Sequence, residues 1–184
     1  TFGKFDNVSI GDIGNKAFEK VAEKMWNSED KPIKESTRGA FKNWFENSKV
    51  VDEQGRPKVV YHGTTASFDV FDSNKIGKNY KADKKGYFFT SDPMMAGWAA
   101  SDAKGNIGGH ENIVPAYLSL KNPLIIDATG KAGFDSWGYF DANKKDILKQ
   151  VKKGKHDGII VNGYGNKESM YVSFEPEQVK SSLS

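Results

Sequence analysis

Apolar positions recur along the chain with a helical and then an alternating period, and these divide it into elements. Over 12–27, Ala17, Phe18, Val21, Ala22, Met25 and Trp26 fall at helical spacing while lysines and glutamates fill the other face, which predicts an amphipathic helix. A polar break containing Pro32 covers 28–36, and a second helix is expected over 37–47 with Phe41, Trp44 and Phe45 on one side. A turn at 52–57 leads into a short β-branched strand at 58–62. The aromatic run at 86–90 reads as a strand, and Asp92-Pro93 opens a helix, with aspartate as cap and proline at the first helical position. Further strands are expected at 112–120, 124–127, 158–161 and 170–174, and a helix at 141–153 with Ile147, Leu148 and Val151 on its buried side. Helices come first and strands later, without βαβ alternation, which predicts an α+β architecture.

Composition narrows what this architecture can hold. The 184 residues suit one domain with an appendage, and 12 Phe, 7 Tyr and 4 Trp supply large core residues although only 37% of positions are apolar. The absence of cysteine excludes a disulfide scaffold, a thiolate zinc site, a thiol nucleophile and an iron–sulfur cluster. The net charge is +3, and all basic residues except Arg38 and Arg56 are lysine. Bidentate reading of guanines depends mainly on arginine, so sequence-specific DNA recognition is not expected. No apolar run is long enough to span a membrane. The chain opens on Thr1 with no signal-peptide pattern, which reads as a piece of a longer polypeptide or a processed product.

Most enzyme templates fail. His62, His110 and His156 lack the spacing of a metal site, and neither a nucleophile elbow nor a Walker loop is present. Three clusters remain. His62 ends an apolar strand and is followed by Gly63-Thr64-Thr65, where glycine admits close approach to the backbone. The run 86–98 feeds an aromatic strand (Tyr87, Phe88, Phe89) into a capped helix carrying Trp98, a possible stacking surface for a flat ring. The last strand places Met170, Val172 and Phe174 on one face and Tyr171, Ser173 and Glu175 on the other, with acids at both ends. Taken locally, each cluster also reads as ordinary structure: a strand end, core packing and solvated termini. Lysine-rich stretches at 75–85 and 144–155 read as solvated surface or as phosphate-tracking patches.

In order, the three clusters resemble an ADP-ribosyltransferase of the diphtheria-toxin and poly(ADP-ribose)-polymerase branch, with its His, Tyr and Glu motifs. The similarity is greatest to domains of phage polyvalent proteins and polymorphic toxins. Their opening corresponds here to Trp44-Phe45, Ser48, Val51-Asp52, Gly55, Pro57 and Val59-Val60-Tyr61-His62-Gly63-Thr64, followed by Phe68 and Phe71. Further matches are 86–96, 116–127, Asp157-Gly158-Ile159-Ile160 and the closing stretch 171–181. The resemblance divides the chain into an N-terminal helical extension, 1–36, and a transferase domain, 37–184.

The resemblance implies two small packed β-sheets forming an NAD cleft, flanked by helices, and no metal. It implies a mono-ADP-ribosyltransferase, a toxin or effector domain or a phage-borne modifier, that moves ADP-ribose from NAD to a protein or RNA and releases nicotinamide. It implies action in a cytoplasm, its own or a target cell's, as part of a larger protein, with an immunity protein as a possible partner. His62 would bond a ribose hydroxyl, Gly63 would hold the carboxamide, and Tyr87 or Phe88 would stack on nicotinamide, with Thr64, Phe89, Ser91 and Trp98 lining the site. The family's catalytic glutamate is expected at Met170, where methionine can supply neither charge nor proton transfer. Glu168, two residues upstream, is the first substitute, with Gln178 and Glu175 behind it. Two other readings stay open: an inactive fold that binds NAD or ADP-ribose, and an RNA-binding module.

Overall fold

The computed structural model describes residues 35–65, 86–107, 111–131, 136–163 and 168–182. The expected helix at 12–27, Phe68 and Phe71, the lysines at 75–85 and His110 lie outside these residues.

Among the described residues, three α-helices, α1 (Glu35–Phe45), α2 (Pro93–Ile107) and α3 (Ser136–Gly154), accompany seven strands. The strands are β1 (Val60–Thr64), β2 (Tyr87–Thr90), β3 (Asn112–Leu118), β4 (Leu124–Asp127), β5 (Gly158–Asn162), β6 (Ser169–Ser173) and β7 (Val179–Ser181). They form one sheet in the order β4-β5-β6-β2-β1-β3-β7. The expectation of two separate sheets is therefore corrected, because β1 and β2 stay paired and make the sheet continuous. That joint is narrow: its register holds only Tyr61 opposite Thr90, whereas β1 and β3 pair over all of Val60–Thr64.

Each half of the sheet carries helices on one face. Tyr61, Ile113 and Tyr117 pack under α1 and α2, where Phe41 and Ala96 meet them. Ile159, Val161, Met170 and Val172 pack under Phe140 and Ile147 of α3. Side chains alternate along a strand, so the other faces are apolar too. Val60, Val114 and Leu118 from one half and Tyr87, Phe89, Ile160 and Tyr171 from the other share a single central cluster.

Two elements depart from the periodicity. β4 and β5 are parallel, with α3 between them in sequence, so the chain contains a βαβ unit that the apolar pattern did not reveal. α3 begins at Ser136 rather than 141, because Trp137 and Phe140 pack on Phe88, with ring centroids 5.5 and 5.6 Å away. α1 is tied into the fold as well. Trp44 Nε1 donates to the Glu177 carbonyl at 2.8 Å, and Ser119 Oγ donates to the Trp44 carbonyl at 2.7 Å.

Candidate active site

His62 stands beside the narrow joint of the sheet. Its Nδ1 lies 2.7 Å from the Phe88 carbonyl oxygen, and its ring is 5.4 Å from that of Phe89. A carbonyl only accepts, so Nδ1 carries the hydrogen and, in the neutral ring, Nε2 is the acceptor nitrogen. Burial pushes the His62 pKa below its ordinary value, and the Phe88 carbonyl opposes this only in part. A neutral imidazole with a fixed tautomer thus crosses from β1 to β2 where their pairing ends.

Gly63 is held closely from one side. A Cβ there would lie 1.9 Å from the Ala96 carbonyl oxygen and 2.9 Å from the Ala100 nitrogen, so the backbone of α2 occupies the space of a side chain. The sequence pointed to ligand approach at this glycine; the structure gives it a packing duty, which Ala96 and Ala100, both buried, share. α2 takes its position from Asp92, whose Oδ1 accepts the Met94 amide at 2.8 Å. Thr64, the last residue of β1, is buried.

The aromatic residues are distributed differently from a single stacking surface. Tyr87 and Phe89 are buried in the central cluster, and Phe88 lies under α3. Trp98, 64% exposed, is the most exposed aromatic side chain among the described residues and sits on α2 with Met94. Ser91 closes the end of β2 onto β6: its amide donates to the Ser169 carbonyl at 2.9 Å, and its Oγ accepts the Ser169 amide at 2.8 Å.

Met170 pairs with Thr90, which pairs with Tyr61, so the position expected for the glutamate does fall next to the joint. The methionine is completely buried among Ile159, Val161 and Val172. Glu168 lies two residues before it and faces the start of α3. Its carboxylate accepts the Ser136 hydroxyl, and the Ser136 amide donates to Oε2 at 3.2 Å. Carboxylates are favoured at helix N-termini, where unpaired amides and the helix dipole meet them.

Gln178 is placed elsewhere. Its Oε1 accepts the Phe174 and Glu175 amides, each at 2.9 Å, and its Nε2 donates to the Asp157 carbonyl at 2.8 Å. Those bonds fix the chain between β6 and β7 and do not bring the amide to His62. Glu175 caps the same 3-10 turn and is exposed. Asp157 also has a structural task, for its carboxylate accepts the Lys121 and Asn122 amides at 2.7 and 3.0 Å. No cluster of three or more metal-ligating side chains occurs among the described residues. No described helix is long and apolar enough to cross a membrane.

A mixed α/β fold with a histidine at the joint of its sheet is the frame within which the comparisons fall, and they define an ADP-ribosyltransferase. Residues 52–184 match the family described as ADP-Ribosyltransferase in polyvalent proteins, and the chain belongs to that family. A search of the curated proteins finds no match. The match begins at 52, after α1, although α1 is bonded to Ser119, just past β3, and to the Pro176–Gln178 turn.

Proposed function

We propose that this chain is an NAD-dependent mono-ADP-ribosyltransferase of the His-Tyr-Glu branch, and that NAD enters where β1 and β2 part beside His62. The observation that carries this is the bond from His62 Nδ1 to the Phe88 carbonyl. It leaves Nε2 in the acceptor form, the form suited to a ribose hydroxyl. In this reading Gly63 offers backbone groups to the carboxamide, Tyr87 is the motif aromatic, and Thr64 lies at the margin. The two halves of the sheet act as the walls of the cleft.

The reaction breaks the glycosidic bond between the ribose anomeric carbon and nicotinamide, which leaves with the bonding electron pair. An acceptor nucleophile on a protein or RNA forms the new bond and loses its proton. A carboxylate near the 2′-hydroxyl stabilises the positive charge that develops on the ribose and takes that proton. Glu168, the acid closest in sequence to Met170 on β6, is assigned this role, with Ser136 holding its carboxylate. As part of a polyvalent protein the domain would act in a cytoplasm, as an effector or a phage-borne modifier, and an immunity protein would block it.

The test is to incubate the full chain with NAD labelled in its adenylate phosphate, together with cell lysate or purified RNA. Label should move to macromolecules with release of nicotinamide, and His62→Ala and Glu168→Gln should each abolish the transfer. A second reading, a fold that binds NAD without turnover, is favoured by the complete burial of Met170 and by the bonds of Glu168 to Ser136. Calorimetric binding of NAD with no nicotinamide released would establish that reading and end the first.

A further inference from the structure

The outer side of α3 is a row of lysines. Lys145, Lys149 and Lys152 are exposed and follow the spacing i, i+4, i+7, so they line one face of the helix. At a rise of about 1.5 Å per residue they stand about 6 and 4.5 Å apart along the axis. Lys153 and Lys155 are exposed where the helix ends. Part of this row suits the negative end of the helix dipole, but that effect fades within the last turn and does not account for Lys145.

The tertiary fold lengthens the row in a way that residue order conceals. Asn122 Nδ2 donates to the Lys155 carbonyl at 3.3 Å, and the Asp157 amide donates to the Asn122 carbonyl at 3.2 Å, which brings exposed Lys121 to the end of α3. The Lys49 amide donates to the Leu120 carbonyl at 2.7 Å, which adds exposed Lys49. Three separate segments therefore supply one basic track. Acids limit it: exposed Asp141 stands one turn before Lys145 on the same face of α3 and ends the row there, and Asp146, Glu46 and Glu175 are exposed as well. None of these lysines forms a salt bridge with another described residue. Asp157, the acid beside Lys121 and Lys155, directs its carboxylate to the two backbone amides described above.

We propose that this track binds the phosphate backbone of a nucleic acid without reading its bases. Lysines are compact point charges suited to phosphates, and the track contains no arginine fork for a base edge. An acidic protein partner is less well matched. Protein interfaces are depleted in lysine and centre on aromatic or arginine anchors, and the exposed large apolar residues Met94, Trp98, Val51 and Ile125 lie off α3. The direction of α3 adds a consequence. Its first residue, Ser136, is bonded to Glu168, two residues from Met170 and the joint of the sheet. A strand laid along the lysines would run towards that joint as the acceptor, a consequence that rests on the transferase reading, whereas the binding does not.

The experiment measures anisotropy of a labelled single-stranded RNA titrated with the full chain across salt concentrations. The logarithm of the affinity should fall linearly with the logarithm of salt. The triple variant Lys145→Gln/Lys149→Gln/Lys152→Gln should flatten the slope by about 2, at about 0.7 per lost phosphate contact. It should also bind at least about 10-fold more weakly at low salt. These side chains are exposed, so the melting temperature of the variant should match wild type. A triple variant that binds RNA like wild type overturns the proposal. So does equal affinity for a polyglutamate peptide of the same charge, which points to an acidic protein partner. A chain that binds RNA through the track yet transfers nothing from NAD leaves this inference standing and removes the transferase reading.

Discussion

The carboxylate of Glu168 binds both the hydroxyl and the backbone amide of Ser136, the first residue of α3. It is a helix cap supplied by a residue distant in the chain, just before β6, and it ties the end of the α3 layer to the start of that strand. Glu168→Ala should cost about 1–2 kcal/mol, in line with the loss of a cap and its charge at a helix N-terminus. Glu168→Gln keeps one acceptor oxygen and should cost less than half as much in urea denaturation. The two variants separate structure from chemistry: with the role assigned here, transfer is abolished in both while only alanine lowers stability strongly. Activity retained in Glu168→Gln would leave the residue as a cap alone.

Gly63 predicts the opposite pattern. Its missing side chain is the space in which Ala96 of α2 sits. Gly63→Ala drives its Cβ into the α2 backbone, an overlap that no rotamer relieves, so overpacking at the upper end of its usual cost, about 3 kcal/mol or more, is expected. Denaturant midpoints measure it. A variant as stable as wild type would show that α2 is free to move away from β1.

Much of the architecture was legible from periodicity. α1, the start of α2, the cores of β3 to β6 and the aromatic strand β2 lie close to where the apolar pattern placed them, because each buries a face against a neighbour in the expected period. What escaped was set by partners distant in the chain. The first turn of α3 depends on Glu168 and on the ring of Phe88, and β7 is three residues paired only with β3. The same holds for the site. His62 was visible as a strand end before glycine, but its tautomer is set by the Phe88 carbonyl. Several motif residues prove to hold the fold: Asp157 binds the Lys121-Asn122 turn, Gln178 closes the last turn, and Ser48 Oγ donates to the Leu118 carbonyl at 2.7 Å.

His62 gives the pH dependence a definite sign. Its pKa is lowered below 6.5 by burial, so the unfolded chain binds its proton more readily than the folded one. Its contribution to stability is therefore present above about 6.5 and is lost as pH falls through that value towards the lower folded pKa. NAD affinity should fall only lower, as pH passes through the folded pKa of His62, because protonation turns the acceptor Nε2 into a donor. His62→Asn should flatten this part of the stability profile. An unchanged profile would assign the acid loss to other groups.

Met170 yields the sharpest test of whether the family's glutamate position remains usable. A carboxylate introduced there would be buried against Ile159, Val161 and Val172, with its pKa raised by desolvation. Met170→Glu should therefore destabilise the chain by about 3 kcal/mol or more at neutral pH, the range for an unpaired buried charge. The sign is opposite to that of His62. The penalty grows as pH rises above the unfolded glutamate value of about 4.3 and is full above the raised folded pKa. Such a variant should release no more nicotinamide from NAD than wild type, because its side chain enters the layer beneath α3. A stable Met170→Glu chain with increased nicotinamide release would instead place this position in the cleft and make methionine the cause of an inactive site.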